Sequence, residues 1–206
     1  MIESRCGLVC SKCEYLEQCG GGCTKISKPF WGDSCPVKDC CEGRRHEHCG
    51  QCSNFPCDLL NEFAYDKEQG DEGKRIEQCR LWYAKQFMND VVKQNAEKLP
   101  EYFAPDAVIC WHDSNEQFTV SEYIRANCEY PGDWNGEVER IEKIDGGFAL
   151  VTRIYSSEST HLITAFVKLE NGKIKRLDEY YAEYGEAPDW RKDMKIGKPI
   201  GGKTNE

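Results

Sequence analysis

A chain of 206 residues with 39% hydrophobic and 31% charged residues has the composition of a folded globular protein, with room for one large or two small domains. No apolar run approaches the about 18–20 residues that span a bilayer, and the opening Met1-Ile2-Glu3-Ser4-Arg5 lacks the apolar core of a secretory signal. A cytoplasmic protein that does not bind membranes is therefore expected. The net charge of −9 lies wholly in the second part, because the residues through Cys57 hold seven Lys/Arg and seven Asp/Glu. Nucleic-acid modules carry a basic face that neutralises phosphates; here Arg44-Arg45-His46 is the only basic knot near the cysteines, and it reads as a solvated turn. No nucleic-acid partner is expected.

The chain opens on cysteines. Eleven of the fourteen fall between Cys6 and Cys57, spaced Cys6-x3-Cys10-x2-Cys13, Cys19-x3-Cys23, Cys35-x4-Cys40-Cys41, Cys49-x2-Cys52 and Cys57. Two-residue gaps let both thiolates of a turn face one ion, and Gly7, Gly20 to Gly22 and Gly50 suit turns whose amides hydrogen-bond sulfur. Ten or eleven cysteines can build two four-thiolate zinc sites. Structural zinc supplies about 10–16 kcal/mol, which a segment with so few apolar residues needs. A reducing compartment disfavours disulfides. An iron–sulfur cluster is the alternative, since Cys6-x3-Cys10-x2-Cys13 has the spacing of the radical S-adenosylmethionine loop, but no strand–helix alternation follows to build that class's barrel. His46 and His48 are minor candidate ligands.

A short amphipathic run, Asp58 to Phe63, closes the module as a helix, and the polar stretch from Asp66 to Gly73 reads as a linker. The domains expected are a cysteine-rich module over 1–66, a linker over 67–74 and a second domain over 75–206. From Lys74, Ile76, Cys79, Tyr83, Phe87 and Val91 recur at helical steps, with Trp82 and Met88 widening the stripe. Residues 101–104 read as another helical turn, 107–111 as a short strand, and 121–126 as a helix capped by Thr119 or Ser121. Four strands follow, over 138–144, 148–155, 161–169 and 173–181, separated by hairpin signals such as Asp145-Gly146-Gly147 and Glu170-Asn171-Gly172. Helices followed by hairpin-linked strands give an α+β fold: a small zinc-stapled irregular module, then helices with a curved antiparallel sheet. Cys79, Cys110 and Cys128 read as packing residues.

Two resemblances add to this reading. Cys6-Gly7-Leu8-Val9-Cys10-Ser11-Lys12-Cys13, the Gly-rich Cys19 to Cys23 step and Cys49-Gly50-Gln51-Cys52-Ser53-Asn54-Phe55-Pro56-Cys57 resemble a small cysteine-rich prokaryotic family of unknown function taken to bind zinc. That resemblance implies Cys6, Cys10, Cys13, Cys19, Cys23, Cys35, Cys40, Cys49, Cys52 and Cys57 as the metal ligands, with Cys41 extra to the pattern. Leu99-Pro100-Glu101-Tyr102-Phe103-Ala104-Pro105-Asp106, the ending Gly172 to Tyr181, and the tail Gly185-Glu186-Ala187-Pro188-Asp189-Trp190-Arg191 with Ile196-Gly197-Lys198-Pro199-Ile200 resemble the SnoaL-like branch of the nuclear-transport-factor-2-like superfamily. This resemblance implies a cone of helices packed on a curved antiparallel sheet, with helices closing one end and leaving a pocket, and a homodimer through the outer sheet face. Its members include polyketide cyclases, steroid isomerases and dehydratases, and many without catalysis.

Alternation along the strands places Arg153 with Tyr155, groups His161, Ile163, Ala165 and Val167, and puts Ile174, Arg176, Asp178 and Tyr180 on one face. His112, Asp113, His161 and Asp178 are the candidate acid–base residues, in a pocket walled by Trp111, Tyr123, Trp134, Tyr155 and Tyr180. Three functions compete. The chain binds a small apolar or amphipathic molecule, or it is a cyclase, isomerase or hydratase, or it is an interaction module that only dimerises.

Overall fold

The computed structural model describes residues 4–198 and residue 200; Pro199 of the tail motif lies outside the described residues. The cysteine-rich part is built from short pieces: 3-10 turns at Cys10–Lys12 and Cys49–Gln51, helix α1 (Pro36–Gly43) and helix α2 (Asp58–Ala64). Pro36 at the first turn of α1 fixes a helical φ where no amide donor is needed, and Cys35 stands at its N-cap. Among the described residues no two cysteines are joined in a disulfide.

This module has almost no apolar core of its own. Val37, Leu60 and Ala64 complete a small cluster only by packing on Ile76 and Cys79, which belong to helix α3 (Lys74–Val92). The contact is close enough to require glycine. A Cβ on Gly50 would lie 2.5 Å from the Cys79 carbonyl oxygen, and one on Gly7, whose φ is +83°, would lie 2.3 Å from that of Arg75. Beside them His48, 3% exposed, stacks on Trp82 at 4.6 Å and 11°. Its Nδ1 accepts from the Gly50 amide at 3.1 Å, and burial pushes its pKa down to about 4, so the ring is neutral.

The opposite stripe of α3, with Tyr83, Phe87, Met88 and Val91, enters the main core. The helix lies on a six-stranded sheet of order β2-β1-β6-β5-β4-β3, comprising β1 (Phe103–Trp111), β2 (Glu116–Phe118), β3 (Asn135–Ile144), β4 (Gly147–Tyr155), β5 (Thr160–Glu170) and β6 (Lys173–Glu183). Helix α4 (Val120–Cys128) closes one end. Its capping box, between Thr119 and Glu122, is complete. A short α5 (Asp189–Asp193) follows the sheet. Among the described residues no helix is long and apolar enough to cross a membrane.

The structure departs from the sequence expectations in three places. The sheet is mixed rather than wholly antiparallel, because β1 pairs with β6 in parallel. The turn expected over 101–104 is a 3-10 turn at Leu99–Tyr102, and β1 begins at Phe103, with a register shift between Phe103 and Val108 that accommodates Pro105. In β6 the register against β5 slips between Lys168 and Leu169, so that Ile174 and Leu177, three apart, are both buried in the core. A bulge of this kind inverts the facing of every later residue. Cys79 and Cys110 are buried and Cys128 packs against the main core.

If module and cone are joined through α3, crowding that contact should weaken the whole fold. Gly50→Ala is expected to lower stability by about 1–3 kcal/mol, the usual cost of overpacking. Gly43→Ala, where a Cβ would meet nothing within 4 Å, should be neutral. Urea unfolding of the two variants checks this.

Candidate functional site

Where the sheet curves away from the helices it encloses a cavity of about 370 Å³. Val91 and Val92 come to it from the end of α3, Trp111 from the end of β1, Trp134 from the segment before β3, and Ile154 and Ile163 from the middle of the sheet. Asp113, His161 and Tyr181 also line it. Of the residues singled out from sequence, Trp111, Asp113, Trp134 and His161 therefore meet at one cavity. Tyr123 is fully buried in the core beside it, its ring edge-on to Trp111 at 6.1 Å.

The other candidates are placed elsewhere, and the bulge in β6 explains two of them. Beyond it, Leu177, Glu179 and Tyr181 point inward, while Arg176, Asp178 and Tyr180 lie on the outer face. Tyr155 also faces away from the cavity, because its neighbour Ile154 faces in. His112 follows suit: its Nε2 meets Asp178 Oδ1 at 2.8 Å, and its ring stacks on Tyr180 at 4.4 Å and 5°.

On this outer face Cys110, His112 and Asp178 bring three ligand atoms within 4.8 Å of one another. A cation is already there. Arg176 donates from both Nε and Nη2 to Asp178, each at 2.7 Å, and its Nη2 lies 3.6 Å from Cys110 Sγ. Partial burial opposes ionisation of Asp178, but Arg176 and His112 outweigh it and hold the carboxyl below its usual range. The cluster is a satisfied ion-pair network.

Glu179 is the residue that sequence reasoning missed. It is 0% exposed, behind Trp111 and Tyr181 of the cavity wall, and its Oε2 accepts from Trp111 Nε1 at 2.8 Å and from the Tyr181 hydroxyl at 3.4 Å. Its Oε1 has no partner, and neither does the buried Tyr123 hydroxyl. Burial pushes the Glu179 pKa up to about 7; the bonds from Trp111 and Tyr181 oppose this, and Asp113 adds to it. A carboxyl poised near neutrality behind an aromatic wall can both hold and release a proton.

The module's thiols form two neighbourhoods. Burial raises the pKa of Cys23 to about 11, opposed by the Arg5 amide and reinforced by Cys6, Cys10 and Cys35; the Arg5 amide lies 3.3 Å from Cys23 Sγ. Burial likewise raises Cys10, opposed by the Cys23 amide and reinforced by Cys6, Cys19 and Cys13. Cys40, Cys52 and Cys57 form the second group, around the Arg44 guanidinium and a small cavity of about 20 Å³ that Cys41 and Cys49 also line. Among the described residues, the Cys110 cluster is nonetheless the one set of three or more cysteine, histidine or carboxylate ligand atoms within 4.8 Å of one another.

The raised pKa of Glu179 has a consequence for stability. In the unfolded chain the carboxyl titrates near 4.5, and in the folded one near 7. Between those values the folded state keeps a proton that the unfolded chain releases. The stabilisation is complete below 4.5 and is lost as pH rises through 7. Glu179→Gln, neutral throughout, should gain about 3 kcal/mol on the native chain from about pH 5 to about pH 8. Denaturant unfolding at both pH values measures it, and a pH-independent difference would contradict the burial argument.

Comparison with known proteins agrees with this division of the chain. A family described as "Protein of unknown function (DUF3795)" matches residues 16–62, the segment that carries Cys19 to Cys57. No curated protein matches the chain. Among solved structures, a provisional ketosteroid isomerase from Kribbella flavida DSM 17836 superposes with a TM-score of 0.52 at 21% identity, over 63% of this chain and 95% of that one. An NTF-2 like protein of unknown function from Burkholderia xenovorans LB400 is similar at a TM-score of 0.48 and 19% identity, over 59% and 98% of the two chains. The cone thus has an α+β, nuclear-transport-factor-2-like fold.

Proposed function

We propose that this chain is a zinc-stapled protein whose cone binds a small apolar or amphipathic molecule. The observation that carries the reading is the cavity of about 370 Å³, which is in the range of small-ligand pockets. Aliphatic and aromatic side chains form most of its wall, and Asp113 and His161 supply polar groups that would orient a ligand's polar end. A second reading, proton transfer of the isomerase or cyclase kind, is favoured by Glu179. There the Tyr181 hydroxyl, which lines the cavity, would pass its own proton to the Glu179 carboxylate bonded to it as it takes one from carbon next to a carbonyl, and the reverse relay would return a proton at another position.

The module's part is structural. Its donors fit zinc in type, since thiolates in turns are its usual ligands. Their neighbourhoods support the same reading: Cys6, Cys10, Cys23 and Cys35 act on one another's charge, and Cys40, Cys52 and Cys57 surround Arg44 with Cys49 beside the same small cavity. Drawing each set onto one ion requires the side chains to turn inward from their present spacing. On the outer sheet face Phe166 and Tyr180 are 41% and 45% exposed, which supports pairing of two cones there.

Thermal-shift screening with a lipophile panel tests the pocket. A hit should bind about tenfold or more weakly to Trp134→Ala; absence of any hit argues against it. Proton transfer is tested with cyclic ketones in deuterated water: Glu179→Gln should abolish protein-catalysed deuterium incorporation, and undiminished exchange in that variant removes the second reading. Elemental analysis of the purified protein should give two equivalents of zinc and no visible absorption. Cys52→Ser/Cys57→Ser should lose one equivalent, whereas iron with a band in the visible would favour the cluster alternative.

A further inference from the structure

A second and larger cleft, of about 750 Å³, opens where the module meets the sheet. Neither half of the chain makes it alone. The module supplies Phe55, α3 supplies Arg80 and Tyr83, and the ends of the β3–β4 and β5–β6 hairpins supply Lys143, Phe148 and Leu169. In a chain with 36 acidic and 27 basic residues, this lining contains two cations and no carboxylate. The charge is therefore opposite in sign to that of the whole.

The two cations are held together. Glu77 Oε1 accepts from Arg80 Nη1 at 2.6 Å and from Lys143 Nζ at 3.1 Å, so one carboxylate fixes two positive groups from different elements and leaves a net positive charge. The Arg80 guanidinium also stands over the Phe55 ring at 5.9 Å. A guanidinium has five donors in a planar fork, and Glu77 takes one. The rest suit a planar anionic group bound through two parallel hydrogen bonds, beside a lining in which Phe55, Phe148 and Leu169 are apolar and Ser53, Asn54 and Asn171 are polar but uncharged.

We infer that the cleft between module and cone binds a small amphipathic anion, its carboxylate or sulfonate on Arg80 and Lys143 and its apolar body against Phe55, Phe148 and Leu169. This site is separate from the cavity inside the cone and does not depend on what that cavity binds.

Fluorescence titration of the full chain, as purified, with anilinonaphthalene sulfonate and with neutral phenylnaphthylamine tests it. Arg80→Gln/Lys143→Gln should weaken the sulfonate about tenfold or more and leave the neutral amine unchanged. Lys143→Gln alone, at an exposed position that the fold tolerates, should weaken it severalfold, and Lys143→Arg should retain it. Trp134→Ala, in the cone's cavity, should leave sulfonate binding intact. The inference is overturned if the sulfonate binds Lys143→Gln and the double variant as tightly as the native chain, or if Trp134→Ala abolishes its binding.

Discussion

Helix α3 is the member on which everything else rests, because it contributes buried residues to both hydrophobic clusters. Tyr83, Phe87 and Val91 fill the cone's core, while Ile76 and Cys79 complete a module core that would otherwise consist of three residues. Two glycines bring module backbone against helix backbone, and His48 lies flat on Trp82. Such contacts have no slack: a side chain at either glycine collides with a carbonyl, and a charged His48 would need water that the stack excludes. The module is therefore a cover for one face of α3.

That arrangement makes sense of the cysteines. Burial of five small or medium side chains cannot offset the conformational entropy of some sixty ordered residues, and short 3-10 and α segments add little cooperativity of their own. Metal cross-links are the natural remedy for a segment of this kind. The sheet needs no such help, since its interior is filled by Phe103, Ile109, Leu150, Ile163, Val167 and Leu177.

Much of the fold could be read from residue order alone. The three-and-four spacing from Ile76 to Val91 is the signature of α3, and the hairpin signals between the last four strands fall at the observed turns. The site was less legible, for a definable reason. Period-two alternation carried along β6 assigns Asp178 and Tyr180 to the face of Ile174; a single irregularity near Lys175 reverses that assignment and turns Glu179 inward. Nothing in the local composition marks the bulge. What could have exposed it is Leu177: an aliphatic residue between Arg176 and Asp178 is out of place on a solvated face and belongs to the core. Parallel pairing of β1 with β6 was invisible for a different reason, being set by the closure of the sheet and not by either strand's sequence.

The parallel pair bears on the order in which the chain assembles. Strands β3 to β6 form an antiparallel meander whose partners are near in sequence, so they can zip from their turns. Strand β1 must find β6 across the whole of that meander, pairing Trp111 with Glu179, and contacts of such long range close slowly because loop entropy is lost before they form. The bond between the Trp111 indole and the Glu179 carboxylate is thus among the last to be made. Until then the carboxyl stays hydrated and acidic, and Trp111 and Tyr181 of the cavity wall lack the buried partner that fixes them.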